Sequence, residues 1–218
     1  MYPSYAQFAV PDSIVDDLAY QISITFLVRT SQPSGLIFFV GTDTSVAASN
    51  ETFLTIELSP IGVVSKIKLG DEIQTNALPC FVTDGEQHFV HVSRNYSLLQ
   101  MQLDDISMFY AINYSLPLVA DVFYVGGMPH KRRRRRDANS ANTDQFSGTL
   151  QDFRVNGKRL QPFPLNSTDE DGTPPPSVEL PKETVGIEVG EQSDDVCLLL
   201  QPCENNATCH TQFYNEYR

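Results

Sequence analysis

The stretch QISITFLVRT at 21–30 sets Ile22, Ile24, Phe26 and Val28 on one side of an extended chain, with mainly polar residues on the other. Further short runs of the same character follow it. They are GLIFFVG (35–41), FLTIEL (53–58), VVSKIKLG (63–70), HFVHVSR (88–94), SLLQMQLDD (97–105), DVFYVGG (121–127) and TLQDFRVNG (149–157). Asp-Gly, Asn-Gly and Ser-Pro breaks separate them, as turns between strands require. A chain built this way buries its apolar faces by stacking one sheet on another. No segment keeps apolar residues at i, i+3, i+4 and i+7 for more than a turn or two, so helix is expected to be minor. The expected fold class is an all-β antiparallel sandwich, with β-branched and aromatic side chains filling the core.

Composition changes after about residue 165. LNSTDEDGTPPPSVELPKETVGIEVGEQSDD holds many acids, one lysine and several prolines but few large apolar groups. It reads as an extended linker or surface-hugging tail. DVCLLLQPCENNATCHTQFYNEYR follows, with Cys197, Cys203 and Cys209 recurring six residues apart. The expected division is a β domain at 1–165, an acidic Pro-containing linker at 166–194 and a small cysteine module at 195–218.

The formal net charge is −12. Setting aside the run Lys131 and Arg132–Arg136 leaves 9 basic against 27 acidic residues, a balance of −18. A nucleic-acid-binding domain needs cations spread along one face, so that class is excluded. Five N-x-S/T sequons, at Asn50, Asn95, Asn113, Asn166 and Asn206, point together with the clustered cysteines to the secretory pathway and N-glycosylation. MYPSYAQFAVPDSIV lacks the charged start and apolar core of a signal peptide. No run approaches the roughly 18–20 apolar residues that cross a bilayer. An ectodomain fragment is the expectation, with any membrane anchoring supplied by segments outside this chain.

FLVRTSQPSGLIFFVG, FLTIEL, DGEQHFVHVSR followed by LLQMQLDD, FYVGGMP, and FSGTLQDFRVNG occur in one order across residues 5–163. In order and spacing they resemble a laminin G-like domain, a jelly-roll β-sandwich. The tail resembles the first half of an EGF-like module. This pairing occurs in neurexins, agrin, Slits, Fat-type cadherins, Eyes shut and Crumbs. The wording FSGTLQDFRVNG, QPFPLNST and DDVCLLLQPCENNATC is most similar to Crumbs-type polarity receptors. Three positions depart from the family pattern. Thr149 stands where the family has a disulfide-forming cysteine, Gln87 replaces the usual tryptophan, and Cys80 has no family counterpart.

The resemblance implies several sites. EGF-like modules pair their first and third cysteines, which implies a Cys197–Cys209 disulfide, with Cys203 bonded to a cysteine beyond Arg218. The spacing of CENNATC implies O-fucose on Thr208. Cys80 is read as a small buried hydrophobe, the alternative being a bridge to Cys203 or to another chain. Many laminin G-like domains bind calcium at one rim, through two Asp or Asn side chains with carbonyls and water. The corresponding positions are Thr52, with Glu51 beside it, and Asn142 and Asp144. Thr52 brings no carboxylate, so loss or weakening of Ca2+ binding is expected, and no other cofactor is implied.

The loop of Lys131, Arg132, Arg133, Arg134, Arg135 and Arg136 falls on a variable rim loop by the same resemblance. Three roles are consistent with it: cleavage after Arg136 by a furin-type convertase, binding of heparan sulfate or another anionic partner, or a solvated loop pairing with the chain's own acids. The histidines His88, His91, His130 and His210 form no metal motif, and no G-x-S-x-G, P-loop or cysteine-nucleophile motif occurs. The sequence is therefore read as a non-catalytic adhesion and recognition module. Its expected partners are extracellular proteins, glycans or further copies of itself. Its expected place is the extracellular side of the plasma membrane, apical if Crumbs-like, or the secreted matrix.

Overall fold

The computed structural model describes residues 4–42, 51–113, 115–129, 145–162 and 178–188. The chain divides into two compact units, Met1–Ile187 and Glu188–Arg218, and all of the second beyond Glu188 lies outside the described residues. The first unit is a sandwich of two seven-stranded sheets. One sheet contains β1 (Tyr5–Ala9), β3 (Gly35–Gly41), β4 (Phe53–Ser59), β5 (Gly62–Lys68), β6 (Ile73–Pro79), β10 (Val122–Val125) and β14 (Glu183–Val185), in the order β14-β1-β10-β3-β4-β5-β6. The other contains β2 (Gln21–Arg29), β7 (Gln87–Asn95), β8 (Leu98–Leu103), β9 (Ile106–Ala111), β11 (Thr149–Val155), β12 (Lys158–Leu160) and β13 (Val178–Glu179), in the order β13-β12-β11-β2-β7-β8-β9. Pairing is antiparallel between described strands except at β12–β13.

The alternating stripe of β2 dictates the layering. Ile22, Ile24, Phe26 and Val28 are buried in the main core, across from Val90 and Val92 of β7 and Leu99, Met101 and Leu103 of β8. Leu54, Ile56 and Leu58 close the core from the first sheet. Aromatic rings link the layers: Phe26 of β2 stacks on Phe153 of β11 at 4.8 Å, and Phe153 meets Phe38 of β3 at 5.3 Å.

Phe153 reaches the core because β11 carries a bulge. The register against β2 shifts between Gln151 and Arg154, and Asp152 takes a left-handed φ of 46°. The extra residue switches the face on which later side chains fall, which brings Phe153 and Val155 inward. The Arg154 guanidinium donates to both carboxylate oxygens of Asp152 at 3.0 and 3.1 Å, which holds the bulge.

Several elements escape the sequence reading. Strands β1, β6, β9 and β12 and a short helix, α1 (Val15–Leu18), were not expected. Of the acidic stretch beyond residue 165, residues 178–188 are described, and two parts of them join the sandwich. β13 pairs with β12, and β14 pairs with β1 through Tyr5↔Val185 and Gln7↔Glu183. Main-chain pairing needs no apolar side chains, so composition alone hides it. The Tyr5 hydroxyl donates to Glu183 at 3.0 Å. Burial, then the Glu183 carboxylate, push its pKa up to about 12.

Candidate functional site

Thr52 precedes β4 at the end where Phe53 pairs with Gly41 of β3. Its hydroxyl donates to the Val119 carbonyl at 3.1 Å and accepts the Val119 N–H at 2.8 Å. Asp121 lies close by, its N–H donating to the Gly41 carbonyl at 3.1 Å. The long loop after β10 has its described flanks at the other end of β3: Gly126 N–H donates to the Ile37 carbonyl at 2.8 Å, and Gln145 bridges Leu36. The structure thus brings Thr52 to the Val119–Asp121 stretch and not to Gln145, the described neighbour of Asp144. Asn142, Asp144, Lys131 and Arg132–Arg136 lie outside the described residues.

The described part of this edge does not by itself supply a calcium site. The Thr52 hydroxyl is neutral and already engaged with one peptide as both donor and acceptor. Among the described residues no three His, Cys, Asp or Glu side chains converge. A hard divalent cation needs more oxygens, and charged ones.

Asn95 and Asn113 are both exposed and flank one end of the second sheet. Asn95 pairs with Leu98, which pairs with Ala111, two residues before Asn113. Arg94, 1% exposed, organises this end from below. Its guanidinium donates to the carbonyls of Tyr96, Ala19 and Leu116 at 2.9, 3.0 and 2.6 Å. Burial pulls its pKa down from the ordinary arginine value. Above it the Tyr20 and Tyr96 rings stack at 5.3 Å. Asn50, Asn166, Asn206, Thr208, Cys197, Cys203 and Cys209 lie outside the described residues.

His88 and His91 lie on opposite faces of β7, against Val28 and Thr25 of β2. His88 Nδ1 is 2.7 Å from Asp104 and Nε2 is 3.0 Å from Asp84. Burial alone would lower its pKa, but the two carboxylates raise it above the ordinary value. His91 is lowered by burial, and its Nε2 lies 3.1 Å from the Ser23 hydroxyl. Asp104 and Asp105 form the β8–β9 turn. Sequence reading had no signal for the His88 cluster, because its members meet only once the strands pair.

Cys80 is partly buried against the core, has no disulfide partner among the described residues, and its thiol donates to the Leu78 carbonyl at 3.1 Å. Burial raises its pKa. A cavity of about 240 Å³ is lined by Ile67, Leu69, Glu72, Ile73, Gln74, Ile112 and Asn113. Glu72 is its one carboxylate, so it lacks the converging pair that glycoside hydrolysis uses.

Two seven-stranded, mainly antiparallel sheets define a β-sandwich. The chain belongs to the laminin G domain family, whose model matches residues 28–158. Such domains are extracellular, ligand-binding modules, and this one is part of an extracellular or cell-surface protein. Protein crumbs homolog 1 of Mus musculus is 25% identical over 211 residues, covering 95% of this chain and 13% of that protein. Among solved structures, the mouse laminin alpha1 chain, domains LG4-5, has a TM-score of 0.62 at 21% identity, covering 72% of this chain and 40% of that one. The LG1-3 region of the laminin alpha2 chain has a TM-score of 0.57 at 21% identity, covering 70% and 29%. A Ruminococcus gnavus sialidase CBM40 bound to alpha2,3 sialyllactose has a TM-score of 0.51 at 12% identity, covering 71% and 88%. The structural likenesses are likenesses of fold.

Proposed function

We propose that this chain is a recognition module in the ectodomain of a Crumbs-type polarity receptor. The carrying observation is the extent of the similarity to mouse crumbs homolog 1. It spans 95% of the chain, whereas the laminin G match ends at residue 158, so it reaches into the cysteine tail. On this reading the domain faces the extracellular side of the apical membrane and contacts proteins or glycans, and a segment outside this chain anchors it. The tail is the first half of an EGF-like module, with Cys197 bridged to Cys209 and Thr208 carrying O-fucose. The sequons carry N-glycans.

The test is domain-selective surface labelling of the full-length protein in a polarised epithelial monolayer. Apical labelling and retention on the membrane are expected. Release of the intact protein into the medium would replace this reading with a second one, a secreted heparan-sulfate-binding matrix protein, which the run Arg132–Arg136 favours. Peptide mapping of the same material under reduction shows whether the chain is cut after Arg136.

A further inference from the structure

We propose that β9 is a self-association edge, along which two copies of this chain pair antiparallel and join their second sheets into one continuous sheet.

Strand β9, ISMFYA, ends the second sheet. It carries no charge, no proline and no glycine. Ile106 is 53% exposed, Met108 40% and Phe109 60%. Natural sheets protect such edges with charges, prolines, bulges or short strands. The other described edges follow that rule. β13 and β14 have two and three residues. β6 runs into Pro79 and is covered by the β9 side of the sandwich: the Tyr110 hydroxyl donates to the Ala77 carbonyl at 2.6 Å.

The backbone of β9 is set up for pairing. Leu103 and Ile106 flank the two-residue turn, so Ile106, Met108 and Tyr110 exchange main-chain bonds with β8. The N–H and C=O groups of Ser107, Phe109 and Ala111 therefore point outward. The Gln74 amide confirms the phase by donating to the Ala111 carbonyl at 2.7 Å. Among the described residues no partner takes the outward groups of Ser107 and Phe109.

A second copy of β9 fits this edge better than an unrelated strand. In a chain of net charge −12, long-range repulsion between copies is least felt where neither brings charge to the contact, and β9 is such a place. With the two-fold axis at Met108, Ser107 of one copy pairs with Phe109 of the other, and the reverse. Ile106 faces Tyr110, and Asp105 faces Ala111, so no like charges are opposed. Centring on Phe109 would instead use the Ala111 carbonyl already held by Gln74. A one-strand contact belongs to the weak, transient class of interfaces, and multivalent display strengthens such contacts on a cell surface. The inference deepens the recognition role by naming a partner of the module.

The test uses the full chain secreted from animal cells with its glycans, in sedimentation equilibrium between about 10 µM and 1 mM. A reversible dimer is expected. Ser107→Pro deletes one outward N–H and no apolar side chain. It should leave the thermal midpoint close to the parent's and weaken dimerisation at least about tenfold. Met108→Cys under mild oxidation should give a dimer whose linked peptides both carry residue 108, with Ile61→Cys as an exposed control that does not. A monomer at every concentration, an unchanged dimer in Ser107→Pro, or a residue-108 cysteine linked to the tail cysteines instead of to its copy each overturns the proposal. These measurements on purified chain are independent of where the receptor sits in the cell, so failure here and failure of the apical assignment are told apart.

Discussion

The Arg94 guanidinium donates to the Leu116 carbonyl at 2.6 Å from a position 1% exposed, and its other nitrogens hold Tyr96 and Ala19. One side chain thus ties the β7–β8 turn, the end of α1 and the segment before β10. Its hydrogen-bond partners here are peptide carbonyls; truncation would strip those of Tyr96 and Leu116 of this donor, while the Ala19 carbonyl keeps the Leu118 N–H at 2.8 Å. Arg94→Ala is expected to cost about 3 kcal/mol or more in urea unfolding. Arg94→Lys keeps the charge but has one nitrogen instead of a planar fork, and should recover less than half of the loss. A loss under about 1 kcal/mol for Arg94→Ala would show that the latch is not used.

His88 gives the sandwich a pH signature. Asp104 and Asp84 raise its folded-state pKa above the unfolded value, overriding the effect of burial. Its contribution is therefore full below about pH 6.5 and is lost as pH rises through the folded pKa. His91, lowered by burial, has the opposite sign: its contribution is present above about pH 6.5 and fades as pH falls through its folded pKa. In an NMR titration, His88 should titrate above His91. The stability gap between the parent and His88→Asn should narrow from pH 6 to pH 8, as read by thermal unfolding at about unit pH steps. A gap that widens with pH would refute the clamp.

How far the sequence exposes these features depends on how local they are. The stripe Ile22, Ile24, Phe26, Val28 is legible because alternation and burial coincide along β2. Strand β9 is not, because both of its faces are exposed and ISMFYA shows no inward stripe. β11 misleads, since the bulge at Asp152 moves Phe153 to the core face. The site is harder still. Thr52 meets Val119 across 67 positions of sequence, and His88 meets Asp104 only through the β7–β8 register. Such pairs follow from topology, which one sequence encodes collectively and not in any local pattern.

Gly148 opens β11 with φ of +154°, and a Cβ there would lie 2.4 Å from the Arg29 carbonyl oxygen and 2.9 Å from Thr30 Cβ. Neither can retreat easily, because Arg29 pairs with Thr149 and the Thr30 hydroxyl donates to the Ser147 carbonyl at 2.6 Å. Gly148→Ala combines strain with a backbone clash and is expected to cost about 3 kcal/mol. Gly157, at φ +78° with nothing within 4 Å of a built Cβ, isolates the strain alone, and Gly157→Ala should cost about 1 kcal/mol. Equal urea midpoints for the two variants would contradict the role given to the close approach.

Thr52 occupies the edge where the laminin G resemblance places a calcium ligand, yet its hydroxyl is spent on Val119 in both directions. The hydroxyl does locally what an ion would do, tying the strand start to the segment before β10. Thr52→Ala removes both bonds at a part-exposed site and should cost about 1 kcal/mol. Calcium should neither rescue that variant nor stabilise the parent. A site with a dissociation constant a hundredfold below the added Ca2+ would add about 2.7 kcal/mol, a shift of several degrees. Thermal unfolding in Ca2+ and in chelator should therefore coincide for both proteins. A Ca2+-dependent rise in the parent that survives in Thr52→Ala would place an ion elsewhere on the module, and one lost in Thr52→Ala would overturn the reading of this edge.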